Sequence, residues 1–272
     1  MPPFRAAADA TGDVLRALPA ALRFLSRLPV PRLPFEPAQD GPPDLDRLAP
    51  AFPLAGALIG LTGALTALVF ALIGLPAPVA ATLAVLVLIA AAGGLHEDGL
   101  ADVADGLGGM IVAKRLEIMR DSRLGSFGVL ALVLAVVLRI TVLQALLDVD
   151  VYAAAAGLVA AAAVGRLAPV LMLAALPPAR PEGLGHGAGR PSPAARWKAG
   201  VLALVIAAFL VIPGFGGLAL AGGLVLGFIA FSGLVRLARA QFGGQTGDVA
   251  GAAALLVEIA FLLGLLIFAR HP

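Results

Sequence analysis

The residues able to do chemistry are few and crowded together. Glu97, Asp98, Asp102 and Asp105 fall within nine positions, in the run His96-Glu97-Asp98-Gly99-Leu100-Ala101-Asp102-Val103-Ala104-Asp105-Gly106-Leu107. Asp98, Asp102 and Asp105 stand at i, i+4 and i+7. At about 100° per residue, a helix would bring them within about 60° of one another. Like charges at that spacing destabilise a helix by roughly a few tenths of a kcal/mol, and a divalent cation reverses the sign. Hard cations such as Mg²⁺ take oxygen ligands and commonly combine one or two carboxylates with substrate phosphates. The pattern points to Mg²⁺-dependent phosphoryl transfer, with Asp98, Asp102 and Asp105 as candidate catalytic residues and metal ligands. His96 is a candidate base or ligand. The plain alternative is an acidic, solvated loop.

A second cluster, Arg120-Asp121-Ser122-Arg123, follows closely. Arginine forks suit phosphate oxygens, so Arg120, Ser122 and Arg123 are candidate substrate contacts and Asp121 a candidate catalytic residue, as an added ligand or a base. Arginines also anchor the end of a membrane span, but anchoring has no use for an acid between them. Two further loops carry single features: Glu182-Gly183-Leu184-Gly185 after Arg180, and Gly243-Gly244-Gln245-Thr246-Gly247-Asp248. Glycine-rich backbone with Thr and Asp can cradle a phosphate or add a ligand. Glu182, Gln245, Thr246 and Asp248 therefore join the candidate substrate-binding set. His186 is given no role.

The elements that must hold these groups are apolar. Hydrophobic residues make up 60% of the 272 positions and charged residues 13%, with no cysteine and a net charge of +2. That composition excludes disorder, a disulfide scaffold, a Cys-type zinc site and an ordinary soluble domain, and it does not suggest nucleic-acid binding. Residues 54–75, 77–95, 127–147, 151–176, 218–235 and 250–268 approach or reach the ~20 apolar residues of a transmembrane helix, and 199–212 is a shorter seventh. Of 19 basic and 17 acidic residues, only Arg139, Arg166 and Glu258 fall inside these segments. The expected fold is all-α: a polytopic integral membrane helical bundle of about six or seven transmembrane helices, with its active site at the cytoplasmic face. The stretch 199–235 reads as two spans or as a re-entrant hairpin broken at Pro213-Gly214.

Basic residues crowd the first 53 positions and the three long loops, and are missing from the short turns at Pro76, Asp148–Asp150 and Pro213–Gly217. The positive-inside rule then places the N-terminus and the acidic loop in the cytoplasm. Residues 1–53 read as an amphipathic helix and linker on the membrane surface, and 54–272 as the catalytic bundle. The helix spans 14–28, with Leu15, Leu18, Leu22 and Leu25 on one side, and Pro19 starting or kinking it. It rests on the bilayer or packs on the loops. Arg139 and Arg166 lie ~15–18 Å deep at ~1.5 Å per residue. They line a polar cavity, with Arg166 a candidate substrate contact, or pair with Glu258.

These motifs together resemble the cobalamin synthase family, the adenosylcobinamide-GDP ribazoletransferases. The acidic run resembles the family signature. Phe24-Leu25-Ser26-Arg27-Leu28-Pro29-Val30, Ile118-Met119-Arg120-Asp121-Ser122-Arg123-Leu124-Gly125-Ser126-Phe127-Gly128, Gly165-Arg166, Glu182-Gly183-Leu184-Gly185 and Gly244-Gln245-Thr246-Gly247-Asp248 follow in order. The resemblance implies an enzyme of the bacterial cytoplasmic membrane that joins adenosylcobinamide-GDP to α-ribazole or its 5′-phosphate, releases GMP and uses Mg²⁺. Its partners would be those substrates, the lipid bilayer, and either a second copy or other late enzymes of the pathway. A CDP-alcohol phosphotransferase also places aspartates at a membrane surface, but its pattern needs an Ala-Arg pair where Ala101 is followed by Asp102. A transporter using Arg139, Arg166 and Glu258 leaves the acidic cluster unexplained.

Overall fold

The computed structural model describes residues 3–36, 44–181 and 189–269, with side chains from residue 12 onward. Glu182 and His186 lie outside the described residues. The helices are α1 (Pro3–Leu25), α2 (Leu45–Leu48), α3 (Phe52–Leu72), α4 (Ala77–Ala92), α5 (Leu95–Gly106), α6 (Val112–Ile118), α7 (Ser126–Val149), α8 (Val151–Ala175), α9 (Pro193–Phe242) and α10 (Gly247–Phe268), with a 3₁₀ turn at Ala49–Ala51. Among the described residues the only β-type pairing is an isolated bridge between Pro178 and Gln245.

Among the described residues, five helical stretches are long and apolar enough to cross a membrane, and a sixth counts if α4 and α5 are taken as one bent span. The apolar segments of the sequence are all present, but 199–212 and 218–235 are arms of the single element α9. Its 50 residues would reach about 75 Å at ~1.5 Å per residue, against a bilayer core of ~30 Å. The element breaks at Gly216, whose φ of 83° lies outside the helical range. Ala195 and Ala199 share a buried cluster with Leu45 of α2 and Phe52 at the start of α3. Gly214 meets Ala153 at the start of α8, Gly222 meets Gly264 near the end of α10, and Phe242 touches Gly106 at the end of α5. The chain therefore runs to the far end of the bundle and returns, so the stretch is two arms rather than a shallow re-entrant loop.

Helix α8 is the centre of the bundle: 72% of its apolar window is buried, against 28% for α7. Its run of buried alanines, from Ala153 to Ala163, lets α3, α9 and α10 approach closely. Helix α7 turns Leu130, Val133, Leu134 and Val137 outward, as a lipid-facing surface requires.

Helix α1 packs onto α2 and the start of α3 through Ala17, Ala21, Leu22 and Leu25. The buried face differs from the leucine stripe of the sequence: Leu15 is 55% exposed. The small alanines, rather than Leu15, fit the contact. The helix runs through Pro19 instead of starting there, and stops at Leu25 rather than at residue 28.

Candidate active site

Helix α5 carries the acidic run and lies across the end of the bundle. It meets α4 at 88°. Consecutive glycines make that corner, Gly93 at φ 68° and Gly94 at φ 69°, a left-handed pair that side chains with a Cβ resist. A second glycine contact sets the approach of α5 to α10. A Cβ on Gly99 would lie 2.6 Å from the Asp248 carbonyl oxygen, so the backbones of the two acidic motifs touch directly.

The helical reading of the acidic run holds, and the aspartates on its face have different surroundings. Asp98 is exposed and Asp102 half-buried. Burial, and the charges of Asp248, Asp98 and Asp105 in that order, push the Asp102 carboxyl up to about 7, with Arg180 opposing. Asp105 faces α7, where its two oxygens accept hydrogen bonds from the backbone N–H groups of Gly125 and Gly128, each at 2.8 Å. It thereby caps the first turn of that helix, where an anion is favoured.

From α10, Thr246 caps the helix by accepting from the Val249 N–H at 3.2 Å, and its hydroxyl donates to Asp248 Oδ2 at 3.2 Å. Gln245 and Thr246 are buried. Backbone bonds pin this loop to the end of α8, with the Gln245 N–H to the Pro177 carbonyl at 2.8 Å and the Ala179 N–H to the Gln245 carbonyl at 2.9 Å. The pairing brings in Arg180, which the sequence mentions only as a neighbour of the Glu182 motif. Its Nη2 donates to the Leu116 carbonyl at 2.9 Å and lies 3.9 Å from Asp248 Oδ2. Its Nε is buried without a hydrogen-bond partner among the described residues.

The second cluster is more open. Arg120, Ser122 and Arg123 are exposed. Arg123 Nη2 pairs with Asp121 Oδ2 at 2.6 Å, and that hydrogen bond holds the Asp121 carboxyl down at about 2.

Beneath α5 lies a buried ionic network. Arg139 of α7 donates to Glu97 Oε1 at 2.7 Å and to Glu258 Oε1 of α10 at 2.6 Å, and Arg166 of α8 pairs with the other oxygen of Glu258. Two positive and two negative groups balance. Arg166 is thus placed within the bundle, 3% exposed, in the pairing with Glu258 that was the alternative to a cavity lining. Glu97 is an addition: in sequence it reads as part of the solvated acidic run. His96 is buried beside it, and burial, then Arg166 and Arg139, lower its basicity well below the ordinary histidine range, so it stays neutral.

Among the described residues no three His or acidic side chains are grouped tightly enough to cage a metal ion. The donor set still suits Mg²⁺, which at phosphate sites takes one or two carboxylates and completes its shell with phosphate oxygens and water. Asp98 and Asp102 are carboxylates without an ion pair among the described residues, and the charge of Asp98 is one of those that raise the Asp102 carboxyl.

The family model for cobalamin-5-phosphate synthase matches residues 17–266. A protein of Azorhizobium caulinodans named adenosylcobinamide-GDP ribazoletransferase is 48% identical over 258 residues, covering 94% of this chain and 97% of that protein. Proteins with the same name are 47% identical in Xanthobacter autotrophicus (94% and 97% covered) and 41% in Brucella anthropi (93% and 96%). No solved structure matches. By its motifs, its length and these similarities, the chain belongs to the cobalamin-5-phosphate synthase family.

Proposed function

We propose that this chain joins adenosylcobinamide-GDP to ribazole, as α-ribazole or its 5′-phosphate, and releases GMP. The relatives' name supports the reaction. The observation that carries its location is the convergence of Asp98, Asp102 and Asp248 beneath the partly unsatisfied guanidinium of Arg180. In the step, a ribose hydroxyl oxygen that is free in both α-ribazole and its 5′-phosphate bonds to the phosphorus attached to cobinamide, the bond from that phosphorus to the oxygen bridging to GMP breaks, and GMP leaves with the electron pair. Such transfers rest mainly on positioning and charge neutralisation.

Arg180, with Arg120 nearby, would hold the diphosphate. Asp98 and Asp102 would hold Mg²⁺, which when bound neutralises phosphate charge. Asp248, fixed by Thr246 and the backbone of Gly99, would take the hydroxyl proton. Asp105 would keep α5 registered against α7 and add its charge to the field. The basic loops at this end of the bundle favour a cytoplasmic site in the inner membrane.

The test is GMP release by full-length protein in detergent, with both substrates and Mg²⁺. Asp98→Ala and Asp102→Ala should each lower turnover by at least about 100-fold, on the scale of losing a principal electrostatic group, while the variants still elute as folded protein. Near-normal turnover in both removes the assignment.

A further inference from the structure

A cavity of about 140 Å³ opens beside the acidic face. Its walls come from α1, α2, α3, α5, α8 and α10, and most are apolar, Phe24, Phe52, Pro169 and Leu173 among them, while His96, Asp98 and Asp248 are the polar residues of the lining. The Phe24 and Phe52 rings stack with centroids 5.7 Å apart and 25° between planes. Two mutually stacked aromatic rings, a proline and a leucine give the cavity an apolar lining that suits an apolar aromatic group. A phosphate or a sugar would lose its hydrogen bonds to water there without replacement.

We propose that this cavity binds the aromatic base of the nucleoside acceptor, leaving its ribose at Asp98 and Asp248. The inference rests on the reaction proposed above. Of the groups that reaction brings together, the diphosphate is charged and the guanine edge is polar. Ribazole carries a bicyclic aromatic base with two apolar faces and little polar edge. The cavity is of the size that takes up one aromatic ring, as an apolar cavity of about 150 Å³ does, so it admits one ring of the bicycle and leaves the other at the opening, whereas a whole drug-sized ligand needs ~300 Å³ or more. The geometry also gives α1 a function beyond anchoring, because Phe24 and Leu25 form part of the wall. The base then selects itself by shape and polarity: a purine of similar outline would strip water from its ring nitrogens and amino group.

Two variants of the full-length protein test this, with GMP release as the readout. Leu173→Phe adds bulk to the cavity and should raise the KM for α-ribazole at least tenfold, leaving the KM for adenosylcobinamide-GDP within twofold. Phe24→Ala removes one wall and should narrow the preference for α-ribazole over its adenine counterpart by at least fivefold. Should Leu173→Phe fail to fold, the Phe24→Ala measurement stands alone. An unmoved acceptor KM in Leu173→Phe with unchanged base preference in Phe24→Ala overturns the assignment. So does a shift confined to the donor KM, or a co-purifying lipid that occupies the cavity and is not displaced by α-ribazole. A wild-type chain that releases no GMP removes the reaction as well as the pocket, whereas an active wild type with unmoved acceptor parameters removes the pocket alone.

Discussion

If Asp98 and Asp102 hold Mg²⁺ as proposed, lowering the pH from 8 to 6 should raise the Mg²⁺ concentration for half-maximal rate about tenfold, and the reason is Asp102. Its carboxyl titrates near 7 because it is half-buried beside Asp248, Asp98 and Asp105. A group with that midpoint is ~91% ionised at pH 8 and ~9% at pH 6, while an unperturbed aspartate near ~3.9 is ionised at both. A metal must displace the proton to bind, so the apparent Mg²⁺ constant tracks the ionised fraction. The assay is initial GMP release against Mg²⁺ concentration at the two pH values, with α-ribazole rather than its phosphate so that no acceptor phosphate titrates. Asp102→Asn should need more Mg²⁺ at pH 8 and lose the pH dependence. A midpoint that moves less than about twofold in the wild type refutes the reasoning. The same shift has a stability sign. Without cation the native state holds this proton more tightly than the unfolded chain, so Asp102 lowers stability increasingly as pH rises from about 4 to 7. Asp102→Asn should therefore melt higher than the wild type at pH 8, by a margin that shrinks towards pH 4.

Arg139→Met should destabilise the bundle by about 3–5 kcal/mol, because it leaves Glu97 and Glu258 buried with one cation between them. Adding Glu97→Gln restores charge balance and should recover part of the loss in thermal unfolding; strict additivity of the two changes would argue against the network. Gly99→Ala places a Cβ 2.6 Å from the Asp248 carbonyl oxygen. It should cost about 1–3 kcal/mol as overpacking and lower kcat more than it lowers the melting temperature, since α5 and α10 move apart at the site itself; unchanged kcat in a folded Gly99→Ala protein would show that the spacing does not matter.

The site divides into parts that sequence could and could not disclose. The helical face shared by Asp98 and Asp102 is local, a matter of period, and it is legible. So are the apolar segments, because lipid imposes a composition on each one independently. Arg180 is not, since its partners are Leu116 and Asp248, brought near by backbone pairing between distant loops. Glu97 misleads for a related reason: its neighbours in sequence are solvated acids, yet one step around the helix turns it inward to Arg139. Asp105 has the right spacing for a ligand, and only the arrival of α7 reveals its two N–H donors. The apolar cavity is assembled from six helices and has no signature in any one of them.

The buried charge network also bears on how the chain is assembled in the membrane. Glu97 is synthesised before Arg139, so that pair can close as soon as α7 inserts. Arg166 has no counter-ion among earlier residues of the network, and its partner Glu258 comes 92 positions later. Until the last helix is delivered, α8 therefore carries a cation whose exposure to lipid is costly. The final helix is the step that completes neutralisation, and it also brings Asp248 to the site. A chain stopped short of α10 lacks both the counter-ion of Arg166 and Asp248, so one helix completes the buried charge balance and the proposed site together.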